Sequence, residues 1–185
     1  MPRPVKYDRE AIAQAALGLV RESGMDALNA RAVAARMGCS TQPLYSAFDG
    51  MDDLRREVYV RAGALFERSV SGLHLPDVPP YKAAGLALLR FANEESRLYR
   101  LLFLSGEARA HGGSADLERA AEQSCEAIMA ATGYSRQTAR AFHAHMFIFI
   151  QGLAAMIATG YAPYDEKACS AALTDQYTAL RRLYG

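Results

Sequence analysis

Four polar side chains in the N-terminal third have the types and the spacing to form hydrogen bonds with an extended polar partner. Thr41, Gln42, Tyr45 and Ser46 carry hydroxyl and amide groups at positions that share one face of a helix. Short polar side chains near the start of a helix can hydrogen-bond to base edges in a major groove. A tyrosine hydroxyl and helix N-terminal amides can also bind a phosphate. This stretch therefore indicates recognition of nucleic acid.

Two short helices joined by a tight turn would position these side chains. The first is predicted over residues 30–37, with Asn29 as its N-cap, and Gly38 supplies the turn. Ser40 is then predicted to cap a second helix that runs through Phe48. This arrangement is a helix-turn-helix. Because two helices and a turn also occur by chance in many proteins, the residue types carry more of the prediction than the spacing does.

The rest of the chain is also predicted to be helical. Asp8 can cap a first helix that ends at Gly24, and a long fourth helix is expected from Asp52 to about Val70. Further helical patterns follow with glycines and prolines between them, and Ser135 and Asp165 can cap the last two helices. No stretch shows the β-branched alternation of a strand. The predicted fold is all-α, with about nine helices.

Net charge gives little support to a nucleic-acid partner. The 185 residues include 21 Lys and Arg against 20 Asp and Glu, so the net charge is +1. Residues 1–48 hold six basic and four acidic side chains, which is a modest local excess. Arg3 and Lys6 precede the first helix as a short basic arm that could reach DNA or could equally be a solvated tail.

Several classes of protein receive no support from the residue pattern. Three separated cysteines indicate neither a disulfide framework nor a zinc site, and the N-terminus lacks a signal-peptide core, so a cytoplasmic protein is expected. The most apolar run, 146–158, is shorter than a membrane span and is interpreted as a buried helix. His143 and His145 lack the i,i+4 spacing of a metal pair. We expect no catalytic site, metal or cofactor.

The N-terminal stretch resembles the tetracycline-repressor (TetR) family over about residues 7 to 60. The resemblance is carried by residues 28–40, by the pattern Gly-x-Ser-x-x-x-Leu-Tyr-x-x-Phe that starts at Gly38, and by Asp53-Leu54. It implies an N-terminal three-helix helix-turn-helix DNA-binding domain at residues 1–50 and a connecting helix at 51–72. Residues 73–185 would form a C-terminal helical-bundle effector and dimerisation domain.

The resemblance also implies the residues that contact DNA. One departure is Met51, which stands where the family often has a phosphate-binding lysine at the start of the fourth helix. Together with the basic arm, the predicted DNA-binding residues are Lys6, Arg31, Ser40, Thr41, Gln42, Pro43, Tyr45 and Ser46.

A ligand pocket is expected among the middle helices of the implied effector domain. Its candidates are aromatic residues and methionines, which also fill ordinary cores, so core packing is the alternative for each of them. A histidine could supply a polar contact. The candidates are Phe91, Tyr99, Phe103, Met129, Phe142, His143, Met146 and Phe147.

By resemblance, the last two helices would form a four-helix interface with the same pair from a second chain. Their apolar residues cover too much of each helix for one neighbour to bury. A two-fold dimer would then place two copies of the helix-turn-helix about one DNA turn apart. The predicted interface residues are Phe149, Leu153, Met156, Leu173, Tyr177 and Leu180.

The function that these patterns favour is a ligand-responsive transcriptional regulator. It is predicted to be a homodimeric repressor that a small apolar or aromatic effector releases from a palindromic operator in double-stranded DNA. The alternatives are an activator, or a helical interaction module that works without small-molecule induction.

Overall fold

The computed structural model describes residues 7–73, 75, 77–106 and 113–185, with the backbone alone at residues 113–118. Within those ranges the chain forms nine α-helices and no strand, which confirms the predicted all-α fold. A 3₁₀ turn at Met25–Ala27 and a π-helical turn at Arg100–Leu104 interrupt the series. The helices are α1 (Arg9–Ser23), α2 (Ala30–Met37), α3 (Gln42–Ala47), α4 (Met51–Gly72), α5 (Pro80–Glu94), α6 (Ser96–Tyr99), α7 (Gly113–Thr132), α8 (Arg136–Ala158) and α9 (Glu166–Tyr184).

Side-chain caps determine where four of the helices begin. Asp8 and Asn29 accept hydrogen bonds from the N–H groups of the third residues of α1 and α2, at 2.8 and 2.9 Å. Ser135 and Asp165 do the same for α8 and α9, at 3.2 and 2.9 Å. Each such cap stabilises its helix by about 1 kcal/mol. These four starts agree with the sequence prediction.

The start of α3 differs from the sequence prediction. Ser40 does not cap it; the N-cap is Thr41, which lies in the α region and forms no side-chain capping bond. The physical reason is Pro43, which would be the third residue of a helix capped by Ser40 and has no N–H to donate. The helix also ends one residue earlier than predicted, at Ala47.

Two packed groups of helices share the hydrophobic core. In the N-terminal group, α1 contacts α2, α3 and α4, and its buried Ile12 and Val20 belong to the same core as Leu44 and Phe48. In the C-terminal group, α5 packs on α4, α8 and α9, and α7 packs on α8. The approach of α5 to its neighbours requires Gly85, because a Cβ there would lie 3.2 Å from side-chain atoms of both Ile150 and Leu173.

Helix α8 is, by length and apolar composition alone, long enough to cross a membrane. Core helices of globular proteins pass the same test, and α8 packs against α5, α7 and α9. Only 33% of its apolar window is buried within the single chain, so its interpretation as a buried helix is confirmed only in part.

Ion pairs join α1 to α4 and to the junction between α5 and α6. Arg21 near the end of α1 forms a two-pronged pair with Glu95, which lies between α5 and α6, with its Nε 2.9 Å from one carboxylate oxygen. Arg61 of α4 donates two hydrogen bonds of 2.7 Å to Glu10 of α1. A shift of α4 or α6 is therefore coupled directly to α1.

Candidate nucleic-acid interface

Residues 38–41 connect α2 to α3 through a tight turn. Gly38 lies in the left-handed region, at φ 66° and ψ 38°, where a side chain is disfavoured. Its N–H bonds to the Ala35 carbonyl at 3.1 Å, and the Cys39 N–H bonds to the Ala34 carbonyl at 3.0 Å. The buried Leu44 of α3 belongs to the same core cluster as Val33 of α2. The turn and this core fix the direction of α3.

The predicted polar residues are presented on the surface of this turn and of α3. Tyr45 exposes 57% of its surface, and Gln42 is exposed as well. Ser46 is exposed, although its hydroxyl donates a 3.0 Å hydrogen bond to the Gln42 carbonyl. Ser40 and Arg31 are also exposed, whereas Thr41 and Pro43 are half-buried, and Lys6 lies outside the described residues. The structure thus leaves a polar surface on α3 available to a partner.

Arg9 anchors the far end of α3, a role that the sequence prediction missed. Its guanidinium donates a 2.7 Å hydrogen bond to the carbonyl of Ala47, the last residue of α3. The guanidinium carbon lies 4.0 Å from the centre of the Phe48 ring, within cation–π range. The same group bonds to Asp53 of α4 at 3.1 and 3.3 Å. One side chain of α1 therefore joins the end of α3 to the start of α4.

Three of the four arginines that the structure describes in residues 7–48 are neutralised within the protein. Arg9, Arg21 and Arg36 pair with Asp53, Glu95 and Glu22 respectively. The hydrogen bonds from Arg9 and Arg36 lower the pKa of the Asp53 and Glu22 carboxyl groups, so these acids stay ionised.

Arg31 differs from the other arginines of residues 7–48. Its guanidinium forms no ion pair with any described residue, and it is exposed at the start of α2. The start of α4 is acidic instead, because Asp52 and Asp53 follow Met51. Arg31 is therefore the described arginine of this region best placed to meet an anionic partner.

The predicted ligand-pocket residues lie in separate clusters of packed rings. Phe91 and Phe103 each pack against Phe66, with ring centres 5.2 and 5.0 Å apart, and Tyr99 lies 5.1 Å from Phe103. Phe142 is fully buried in a second cluster with the tyrosines of α9. The third cluster joins Phe147 to His143, while Met146 is buried and Met129 half-buried.

Two cavities adjoin α5. The larger, of about 570 Å³, is a groove between α5 and α9 whose walls include Lys82 and Asp175. The smaller, of about 250 Å³, lies between the end of α4 and α5. Of the eight predicted pocket residues, only Phe91 lines either cavity, at the wall of the smaller one.

His143 lies in a part-buried contact with Tyr81, whose hydroxyl is 3.1 Å from the imidazole Nδ1. Burial disfavours the imidazolium and lowers the pKa of His143 below its ordinary value. Burial likewise raises the pKa of Tyr81. Both groups are therefore neutral at pH 7, and the pair can act as a hydrogen-bonded contact inside the helical bundle.

We expect this histidine to make the protein less stable in mild acid. The unfolded chain binds a proton at a higher pH than the folded chain, so stability is complete above about pH 6.5 and falls as the pH drops through the folded pKa. Each unit of lowered pKa is equivalent to about 1.4 kcal/mol. Urea unfolding of His143→Gln between pH 7 and pH 5 should show a smaller loss than the unchanged protein. An equal loss in both proteins would contradict this account.

Placement of the predicted dimer residues requires a revision. Leu173 and Leu180 are 2% and 6% exposed in the single chain, so they pack within the protomer and leave little surface for a second chain. The periodicity of α9 could not distinguish these two positions from surface ones. Phe149, Leu153 and Tyr177 are half-buried, and Met156 is 40% exposed. The large apolar side chains that α8 and α9 leave open also include Ile148, at 69%, and Leu183, at 67%.

Comparisons with known proteins agree with this geometry. Residues 12–58 match the family model described as bacterial regulatory proteins, tetR family. An uncharacterised HTH-type transcriptional regulator of Mycobacterium tuberculosis is 39% identical over 59 residues, which are 32% of this chain and 27% of that protein. The sequence similarity to this relative thus concerns about a quarter of its length.

Similarity of fold extends over the whole chain. A TetR-like transcriptional regulator from Rhodococcus sp. RHA1 superposes with a TM-score of 0.72 at 19% identity, covering 100% of this chain and 99% of that one. The multidrug binding protein EbrR, complexed with imidazole, gives a TM-score of 0.61 at 23% identity, covering 95% and 94% of the two chains. These structures share the arrangement of helices found here.

Proposed function

We propose that this chain is a member of the TetR family of regulatory proteins that binds operator DNA as a homodimer and responds to a small molecule. The observation that carries the proposal is the exposed polar surface of α3. Gln42 and Tyr45 are open to solvent on a helix that Arg9 holds in place. Such a helix can enter a major groove and hydrogen-bond to base edges.

Two copies of the chain would read the two halves of a palindromic site. The open apolar side chains of α8 and α9 support a two-fold contact between copies, because an isologous interface brings the same patch of both chains together. In such a dimer, we propose that the two α3 helices lie about 34 Å apart, one turn of DNA. Specific binding would then depend on dimerisation as well as on α3.

A small apolar or aromatic effector would act through the C-terminal helices. The multidrug binding protein that shares the fold was solved with imidazole, which supports a small-molecule site in this arrangement of helices. We place the site beside the cluster of Phe66, Phe91, Tyr99 and Phe103, since the π-helical turn 100–104 adjoins it and such turns are frequent at functional sites. Effector and operator would affect each other's affinity by the same factor. A non-enzymatic role in the bacterial cytoplasm fits this proposal.

Binding to DNA from the promoter region of the protein's own gene, compared with random DNA, tests the proposal. We expect a clear preference that weakens as salt rises, and weak binding to random DNA because, among the described arginines of residues 7–48, only Arg31 is without an ion pair. An equal affinity for both DNA fragments over the whole salt range would overturn the proposal.

Arg31→Gln should weaken operator binding about tenfold and lower the salt dependence. Each lost phosphate contact reduces the slope of log affinity against log salt by about 1, so a dimer should lose about 2. Titrations between about 50 and 200 mM salt would measure this slope, because affinity that depends on phosphate contacts falls steeply over that range. Arg97→Gln removes the same charge from an exposed position on α6 and serves as the control. An unchanged slope for Arg31→Gln would show that Arg31 contacts no phosphate.

Arg9→Met should weaken operator binding by a different route. The variant loses the hydrogen bond to Ala47 and the ion pairs to α4, so α3 is held less firmly. We expect about a tenfold lower affinity with an unchanged salt slope, because Arg9 is proposed to position α3 and not to touch a phosphate. Arg9→Lys should restore part of the affinity. A slope reduced as much as in Arg31→Gln would instead make Arg9 a direct DNA contact.

A further inference from the structure

The cavity between the end of α4 and α5 carries charges of both signs around an apolar wall. It holds about 250 Å³, which is smaller than the range of about 300–1,000 Å³ typical of pockets for drug-sized ligands. Arg68 and Ser69 line it from α4, and Arg90 and Glu94 line it from α5. Phe91, which is 2% exposed, forms part of the apolar wall. A ligand of this cavity must be small and must combine polar and apolar parts.

Two of these charges lack a protein partner within the described residues. Neither the Arg68 guanidinium nor the Glu94 carboxylate forms an ion pair there, and both are exposed at the cavity. Arg90 is different, because its Nη2 donates a 2.7 Å hydrogen bond to Glu166. The cavity therefore presents one unpaired cation and one unpaired anion, which fit a ligand that itself carries both charges.

We propose that this cavity binds a free amino acid with an apolar side chain, the ammonium group meeting Glu94, the carboxylate meeting Arg68, and the side chain lying against Phe91. Guanidinium groups bind carboxylates through paired hydrogen bonds. The Ser69 hydroxyl donates to the Phe66 carbonyl at 2.7 Å, so its oxygen remains able to accept from an ammonium group. Phe91 also contacts Phe66, which places the ligand beside the aromatic cluster.

The position of the cavity connects it to the helix-turn-helix, and this step rests on the proposed function. Helix α4 has 22 residues and a length of about 33 Å. Its first turn holds Asp53, the partner of Arg9, and its last turns form one wall of the cavity. A ligand that favours a different separation of α4 and α5 would act on the anchor of α3 through one rigid element.

L-Phenylalanine, 3-phenylpropionate and phenethylamine are the probes that test the proposal on the full-length protein by calorimetry. They share the ring, but the second lacks the ammonium group and the third lacks the carboxylate. We expect saturable binding of phenylalanine and at least tenfold weaker binding of both analogues. Arg68→Gln and Glu94→Gln should each weaken phenylalanine binding at least tenfold, whereas Arg97→Gln, which removes an exposed arginine elsewhere, should not.

Three results would overturn the proposal: no saturable binding of phenylalanine, equal binding of the analogues, or binding unchanged in both cavity variants. Operator binding without any ligand is measured in parallel. If the protein binds operator but does not bind phenylalanine, the proposed ligand site is wrong and the proposed function is unaffected. Phenylalanine binding that depends on Arg68 and Glu94, in a protein that does not bind operator, supports the site and defeats the proposed function.

Discussion

Replacing Gln42 and Tyr45 together by alanine is expected to lower operator affinity about 1,000-fold or more. Each base or backbone contact of this kind contributes about 1–3 kcal/mol, and a dimer would lose both contacts at both half-sites. Both side chains are exposed, so the free energy of unfolding should change by no more than about 0.5 kcal/mol. Operator titration and thermal unfolding of the same preparations would separate lost contacts from lost structure.

Gln137→Ala is the matched control, because Gln137 is exposed at the start of α8, in the C-terminal group of helices. It should bind operator as the unchanged protein does. An interaction module that works without DNA would keep its partner in the Gln42/Tyr45 double variant. If the double variant still bound operator with unchanged affinity, α3 would not be the helix that contacts DNA, and a different surface would have to do so.

Local sequence signals predicted the parts of the fold that depend on a few adjacent residues. The caps at Asp8, Asn29, Ser135 and Asp165 each need one side chain and an N–H three residues later, so they can be recognised without the tertiary structure. The failed cap at Ser40 was also a local effect, since the missing N–H of a proline three residues on was visible in the sequence.

Contacts between distant residues could not be predicted in this way. Arg9 and Asp53 are 44 residues apart, and Arg21 and Glu95 are 74 apart, so no spacing rule connects them. These pairs neutralise two of the four arginines that the structure describes in residues 7–48. The net charge of +1 is therefore consistent with DNA binding that depends on shape and hydrogen bonds more than on cations.

The candidate ligand site shows the same limit. Aromatic residues at helical spacing predict an apolar face, but the spacing is identical for a residue that fills the core and for one that lines a cavity. Phe142 is fully buried among other rings, whereas Phe91 reaches a cavity on one side and Phe66 on the other. The charged residues of that cavity come from two helices, and only their packing brings Arg68 near Phe91.

The exposed apolar side chains of α8 and α9 lead to a prediction about assembly. Ile148 is 69% exposed in the single chain, and a second chain that covered it would remove this apolar surface from water. A glutamate at this position would place an unpaired carboxylate in the dry centre of the proposed two-fold contact, and the symmetry would place two there. Ile148→Glu should therefore convert the dimer to a monomer.

Operator affinity should fall about 100-fold or more in Ile148→Glu, because a monomer contacts one half-site and loses the gain from linking two binding units. Sedimentation equilibrium would measure the loss of the dimer, and operator titration the loss of affinity. Val60→Glu makes the same chemical change at a side chain of α4 that is 59% exposed, and it should leave the dimer intact. If Ile148→Glu stays dimeric, or if Val60→Glu dissociates equally, the two copies do not associate through this face. Leu183 is 67% exposed on α9, so Leu183→Glu tests the other helix. A dimer that depends on α9 alone would dissociate in this variant and stay intact in Ile148→Glu.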